Sequence, residues 1–169
     1  VIVWDWGWPD GTPAGWGGPD WASQIIEALP DGVHLMCVSE WGKAIKRGGV
    51  AGTVGEYSIS SVGPGPRAKR HWGLAQKRGL KTLAKVQVNC SWELSAVPFI
   101  PVMDLVAQHC HNLAEAGVDG LMLSWTVGGY PSPNLELVSY FQEQPTPTVT
   151  GALDKLASGR YGSAAAGGI

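Results

Sequence analysis

The sequence has little charge, few cysteines and no long apolar run. Only 15% of its 169 residues are charged, and the formal net charge is -2. A chain without an excess of positive charge is a poor candidate for binding a nucleic-acid backbone. Its apolar runs fall short of the roughly 18 residues that a membrane-spanning helix needs. We therefore expect no nucleic-acid partner and no membrane span, while the 44% of hydrophobic residues is enough for the core of one domain.

Metal-binding and disulfide signals are weak as well. The three cysteines, Cys37, Cys90 and Cys110, are odd in number and have no CxxC spacing, so neither a disulfide framework nor a zinc site is predicted. His109 and His111 are two residues apart and do not share a helix face. We expect buried free thiols and no metal or cofactor. Localisation stays open between cytoplasm and export, since no charged region or cleavage site of a signal peptide is present.

Hydrophobic patterning predicts strands that alternate with helices. Strands are expected at 1–5, 33–39, 82–89 and 119–126, and helices at 21–29, 67–78, 101–116 and 135–141, with Asp20 and Asn134 as N-caps of the first and last helix. Residues 42–61 are expected to form a hairpin-like excursion with a strand-like run at 53–60. Four alternations imply parallel strands joined by right-handed crossovers, and hence a doubly wound sheet or a (βα) barrel.

The loops after the strands favour the barrel. A polar or aromatic cluster follows each strand, at 4–8, 39–41, 89–93 and 124–126, whereas the connections back to the next strand are short and plain. Barrel enzymes distribute their chemistry in this way, while an open sheet concentrates it at one switch point. The predicted fold class is therefore α/β, a partial (βα)8 TIM barrel of about four βα units.

Strand alternation predicts which residues meet at the barrel mouth. In strand 82–89 one face carries Lys85, Gln87 and Asn89 and the other face is apolar, as expected for a strand whose polar face lines a lumen. By the same logic Asp5, Glu40 and Trp125 are expected to point inward with Asn89. Leu121 and Leu123 then share the inward face with Trp125, and Trp4 and Trp6 face the helices.

Carboxylates and indoles at one rim suggest a carbohydrate site. Sugar rings stack on flat aromatic surfaces, and glycoside cleavage needs one protonated and one ionised carboxyl group. Indoles raise the pKa of an adjacent acid by excluding water. The predicted catalytic residues are Glu40, Glu93 and Asp5, and the predicted substrate-binding residues are Trp125, Trp8, Trp41, Trp92, Asn89 and Tyr130. Structural alternatives stay open, such as an ion pair for Glu40, a loop cap or an arginine partner for Glu93, and loop packing for Trp8.

Several segments resemble one enzyme family. Residues 4–8, 39–41, 89–101 and 120–133 are similar to bacterial TIM-barrel glycoside hydrolases, in a group near the hexosaminidase-type and glucuronidase-type barrels. The resemblance covers 1–142, as the C-terminal half of such a barrel, and it implies that Trp125 floors the sugar subsite and that Glu40 and Glu93 act as acid/base or nucleophile. Residues 160–166 resemble the opening of the helical domain that follows such barrels, so 143–169 is expected to be a linker and the stub of that domain.

Three functions remain under consideration. The first is a glycoside hydrolase fragment that cleaves O-glycosidic bonds, and the second is a non-catalytic carbohydrate-binding or scaffold half barrel. The third is a lyase that forms a Schiff base through Lys85, on an inward strand face where desolvation lowers a lysine pKa. Because a half barrel exposes two strand edges, the expected partners are a carbohydrate ligand and either a second copy, giving a homodimer, or a missing N-terminal half.

Overall fold

The computed structural model describes residues 1–90, 92–124 and 129–165. Its centre is a four-stranded parallel sheet of β1 (Ile2–Trp4), β2 (His34–Val38), β5 (Lys81–Val86) and β6 (Gly120–Leu123), in that order. A separate antiparallel hairpin, β3 (Ala44–Arg47) and β4 (Val50–Thr53), is inserted after β2. The predicted α/β class with a parallel sheet is confirmed.

Five helices accompany the strands in the described part of the chain: α1 (Trp21–Ala28), α2 (Pro66–Lys77), α3 (Met103–Glu115), α4 (Pro133–Tyr140) and α5 (Val149–Tyr161). Asp20 caps α1 as predicted, by accepting a hydrogen bond from the backbone N–H of Ser23 at 3.0 Å. The predicted cap of α4 is wrong, because Ser132 caps that helix. Asn134 instead donates to the backbone carbonyl of Val88 at 2.7 Å.

The hairpin forms earlier in the chain than predicted. Gly48 and Gly49, with φ of 54° and 82°, form the tight turn between β3 and β4, a backbone conformation that glycine adopts without steric cost. The prediction of a strand over 53–60 is therefore wrong, because β4 ends at Thr53. Residues 54–61, called here the 54–61 segment, are irregular and bury Tyr57 and Ile59, which brings this segment beside the end of β2.

The sheet has a helix side and a second side, called here the open side, although its central residues Met36, Val38 and Lys85 are buried. Alternate strand residues pack with the helices into the large apolar core, among them Val3, Leu35, Cys37, Ala84, Val86, Leu121 and Leu123. The opposite residues form the open side, where Trp4 is in register with Met36, and Val38 with Lys85 and Met122. Val86 and Val88 both join the core, so Gln87 between them lies on the open side with Lys85, as predicted.

Three predicted faces are wrong. Trp4, which was expected to face the helices, packs with Val38 on the open side. Leu121 and Leu123 pack against the core on the helix side. Asp5, one position beyond β1, lies on the helix side with Val3 and not on the open side with Trp4. Both faces of β1 are rich in apolar residues, so alternation alone did not identify the inward one. Trp125, the remaining residue of this prediction, lies outside the described residues.

Helix α5 falls in the stretch predicted to be a linker and a stub. It contacts α3 and α4, and Ala152 and Leu156 are fully or almost fully buried in the same core as the sheet. In the part of the chain that the structure describes, no helix is both long enough and apolar enough to span a membrane.

Candidate functional site

Glu40 lies just beyond the end of β2 and is fully buried. Its Oε1 atom accepts a hydrogen bond from the backbone N–H of Ser58, at 2.9 Å. Its Oε2 atom has no hydrogen-bond partner among the described residues. Burial raises the pKa of Glu40 from 4.5 to about 8, although the Ser58 bond and the nearby Lys85 oppose the rise. Glu40 is therefore mostly protonated at neutral pH.

Glu93 lies in a short 3-10 turn (Trp92–Leu94), and its pKa shifts in the direction opposite to that of Glu40. Burial by itself would raise its pKa, but hydrogen bonds from Ser58 and Ser60 outweigh burial and hold the pKa below 4.5. The Ser60 hydroxyl donates at 3.0 Å, and the Ser58 hydroxyl donates to the same oxygen. Ser58 thus contacts both carboxyl groups, through its backbone N–H to Glu40 and through its hydroxyl to Glu93.

Asp5 belongs to a buried ion network on the helix side. Its Oδ2 atom accepts from the Arg67 guanidinium and lies 2.7 Å from Nδ1 of His71, both on α2. Arg67 also donates to the carbonyl of Asp5 at 3.0 Å and to that of Trp8 at 3.1 Å. The prediction that Asp5 converges with Glu40 is wrong in its geometry, since Asp5 fastens the end of β1 to α2 on the other side of the sheet.

Asp5, Cys37 and His71 also offer a possible metal-ligand set, with donor atoms within 4.8 Å of one another. The donor types suit a transition metal. However, Arg67 already binds the carboxylate oxygen nearest to His71, and burial raises the pKa of the Cys37 thiol well above its usual value, which disfavours the thiolate that a metal requires. The set therefore fits an ion-paired network better than a metal site.

An open cleft of about 610 Å³ lies at the same end of the sheet. We call it the indole cleft; its lining residues are Pro13, Ala14, Trp16, Trp41, Gly55, Glu56, Tyr57 and Trp92. Trp16 and Trp92 are 58% and 53% exposed, whereas Trp41 is buried. The cleft is therefore an accessible surface made mainly of aromatic rings.

Glu56 positions two of the neighbouring indoles. Its Oε1 atom accepts from Nε1 of Trp6 at 2.9 Å, and its Oε2 atom accepts from Nε1 of Trp92 at 3.3 Å. Glu56 was not among the predicted site residues, because the sequence pattern of 53–60 predicts a strand of the hairpin. A signal was nevertheless present, since Glu56 precedes an aromatic residue, Tyr57, just as Glu40 precedes Trp41.

The rings around the cleft contact one another in a chain. Centroid distances are 6.0 Å for Trp4 and Trp6, 5.9 Å for Trp6 and Trp16, and 6.4 Å for Trp16 and Trp41. The Arg67 guanidinium lies 4.3 Å from the centroid of the Trp41 ring. These aromatic and cation–π contacts hold the rings in fixed orientations. Through Arg67 they also connect the wall of the cleft to the Asp5 network.

The other predicted binding residues lie apart from this cleft. Trp8 packs against the main core. Asn89 is buried and holds the loop before α4, because its Nδ2 atom donates to the carbonyl of Tyr130 at 2.7 Å and its Oδ1 atom accepts from Ser132 at 2.6 Å. Tyr130 is half exposed and stacks on Phe99, with centroids 6.0 Å apart. The structure brings together Glu40, Glu93, Trp41 and Trp92 from the predicted set.

Lys85 and Gln87 are buried polar residues on the open side of the sheet, as Glu40 is at its end. Lys85 is almost fully buried, and burial lowers its pKa although the nearby Glu40 raises it. Neither amide atom of Gln87 has a hydrogen-bond partner among the described residues. Buried polar atoms are ordinarily hydrogen-bonded, so Gln87 and the Oε2 atom of Glu40 are buried polar groups whose hydrogen-bonding capacity is not used among the described residues.

Comparison with known proteins identifies no relative of this chain. No protein-family model, no curated protein and no solved structure matches it.

Proposed function

We propose that the chain is a carbohydrate-active protein of the glycoside hydrolase type, in which the indole cleft binds sugar and Glu40 and Glu93 form the carboxyl pair. The observation that carries the proposal is the pair itself. Two carboxyl groups with opposite pKa shifts share one hydrogen-bonding residue, Ser58, next to an exposed aromatic cleft. Environments that separate the pKa values of two acids are typical of glycosidases.

The proposed architecture is half of a (βα)8 barrel. The four sheet strands follow one another in chain order without reversal, and right-handed crossovers in one direction place their helices on a single side of the sheet. A doubly wound sheet reverses its strand order and is covered by helices on both sides. The apolar core on one side, with polar Lys85 and Gln87 on the other, supports the barrel.

The indole cleft offers what a sugar ring needs. Exposed Trp16 and Trp92 present flat apolar surfaces for the C–H faces of the ring, and Glu56 lines the same cleft as a hydrogen-bond acceptor for hydroxyl groups. Aromatic contacts of this kind bury a large area with little loss of side-chain freedom. The cleft therefore supports carbohydrate as the ligand class.

The chemistry follows from the protonation states. Glu40, as the acid, donates its proton to the glycosidic oxygen while the bond between that oxygen and the anomeric carbon breaks. Glu93, as the carboxylate, either attacks the anomeric carbon or takes a proton from the attacking water. Water supplies the new hydroxyl group and, in the retaining case, returns the proton to Glu40.

A second candidate, carbohydrate binding without turnover, is favoured by one observation. Glu40 is fully buried, so its carboxyl reaches a substrate only when the 54–61 segment moves. In that case the cleft binds sugar, and the Glu40–Ser58–Glu93 chain of hydrogen bonds fastens the 54–61 segment to the sheet.

Tryptophan fluorescence titrated with a panel of oligosaccharides tests sugar binding. We expect Trp16→Ala to weaken binding about fivefold, since stacking on one aromatic ring is worth on the order of 1 kcal/mol. Trp21→Ala is the matched control, because Trp21 is 54% exposed on α1 outside the cleft. A panel that gives no response contradicts carbohydrate binding.

Hydrolysis of aryl glycosides separates the two candidates. The loss of a general acid or a nucleophile lowers turnover by about 10²-fold or more, so Glu40→Gln and Glu93→Gln are expected to lose activity while they retain binding. Sugar binding with no turnover in the parent chain establishes the second candidate instead.

A further inference from the structure

The indole cleft carries an uncompensated negative charge. Of the described residues that line it, Glu56 is the only charged one, and the others are aromatic, aliphatic or glycine. Both carboxylate oxygens of Glu56 accept from neutral indole N–H groups, so its hydrogen bonds bring no cation. By contrast, the buried Asp5 and Asp10 are paired with Arg67.

The aromatic faces of the indole cleft also favour a positively charged ligand. The ring quadrupole of Trp and Tyr attracts a cation that lies within about 6 Å of the ring centroid. Trp41 already holds one cation in this way, since the Arg67 guanidinium lies 4.3 Å from its centroid. Trp16 and Trp92 have exposed faces in the same cleft, and each Glu56 oxygen has a second lone pair with which to accept a hydrogen bond.

We propose that the ligand of the indole cleft is a positively charged amino sugar, whose ammonium group lies between Glu56 and the exposed tryptophans. This inference rests on the proposed function, because it specifies the class of sugar that the same cleft binds. A neutral sugar would satisfy the ring stacking but would leave the Glu56 charge without a counter-ion.

Three β-1,4-linked tetrasaccharides test the proposal, since they differ only in the C2 substituent: an amine, a hydroxyl or an N-acetyl group. Affinities are measured by isothermal titration calorimetry at a pH below the pKa of the sugar amine. We expect the amine form to bind about tenfold more tightly than the hydroxyl form, as one ammonium–carboxylate contact with cation–π support would give. This preference is expected to shrink at high salt, which screens exposed charges.

Glu56→Gln removes the charge and keeps the shape, and it is expected to bring the affinity for the amine form down to that for the hydroxyl form. Glu27→Gln is the matched control, because Glu27 is exposed on α1 away from the cleft, and it is expected to keep the preference. Far-UV circular dichroism confirms that both variants are folded.

Three results would overturn the proposal. If the hydroxyl form binds as tightly as the amine form, the inference fails while carbohydrate binding stands. If Glu56→Gln keeps the full preference for the amine form, the assigned ammonium site is wrong. If none of the three tetrasaccharides binds, the inference fails, whereas the proposed function fails only if the whole oligosaccharide panel also gives no response.

Discussion

At the scale of single residues, Glu40 is an acid whose environment opposes its charge. It is fully buried, and one of its carboxyl oxygens has no hydrogen-bond partner among the described residues. Ionisation in such a place is opposed by the loss of solvation. Since the folded state holds the proton more tightly than the unfolded chain does, Glu40 links the stability of the protein to pH.

Glu40→Gln is expected to remove this linkage. The pKa of Glu40 rises from 4.5 to about 8 in the folded state, so between these two pH values the folded protein binds more protons than the unfolded chain does. The contribution of Glu40 to the free energy of unfolding therefore falls as pH rises through this range, and it levels off above pH 8. Each pKa unit corresponds to about 1.4 kcal/mol. The free energy of unfolding of Glu40→Gln, measured relative to that of the parent, should therefore increase by several kcal/mol between pH 4.5 and pH 8.

Urea unfolding at a series of pH values measures this difference. Glu27→Gln, at an exposed position, serves as the matched control and should show no such trend. A Glu40→Gln variant whose stability stays parallel to that of the parent from pH 4.5 to pH 8 would show that Glu40 is not a protonated buried acid.

Sequence reasoning could find Glu40 and Glu93 but could not place Asp5. An acidic residue next to an indole at a strand end is a local signal, and the structure brings that pair together through Ser58. The face of Asp5 depends instead on Arg67 and His71, more than 60 residues further along the chain. No local pattern shows that a polar residue will be buried against an ion partner so distant in sequence.

At the scale of elements, the sequence of α5 has the pattern of a helix, although 143–169 was expected to be a linker and a stub. Its apolar residues recur at the spacing of one helix face: Val149, Ala152, Leu153, Leu156 and Ala157. Thr148 caps its start and Gly162 follows its end. The helix was thus predictable from sequence, whereas its packing against α3 and α4 was not, since periodicity identifies a buried face but not the partner that covers it.

Leu156→Ala is expected to destabilise the protein by about 2 to 4 kcal/mol, because it removes a fully packed side chain and leaves a cavity. Leu156 is buried between α5 and the core. Leu153→Ala, the same substitution at a partly exposed position of the same helix, should cost clearly less. Urea unfolding measures both. Equal small losses would indicate that α5 is only loosely attached.

At the scale of the whole molecule, the sheet has two free edges, each with one exposed apolar side chain nearby. In the described part of the chain, β1 pairs only with β2 and β6 only with β5. Ile2 on β1 and Met122 on β6 are 48% and 43% exposed, whereas Met36 and Val38 on the inner strand β2 are buried. Unpaired parallel edges and exposed apolar side chains invite pairing with another chain. A partner with strands in the same direction, either a second copy or an N-terminal half barrel, would cover both.

Self-association of the chain is the measurable consequence. Size-exclusion chromatography with light scattering is expected to give a dimer. Met122→Lys should shift it toward the monomer, because it places a charge on the open side. Val50→Lys, at the exposed start of β4, should leave the dimer unchanged, since the hairpin forms a sheet of its own. A monomer at every concentration contradicts pairing between copies, and a dimer that Met122→Lys does not weaken contradicts pairing through the open side.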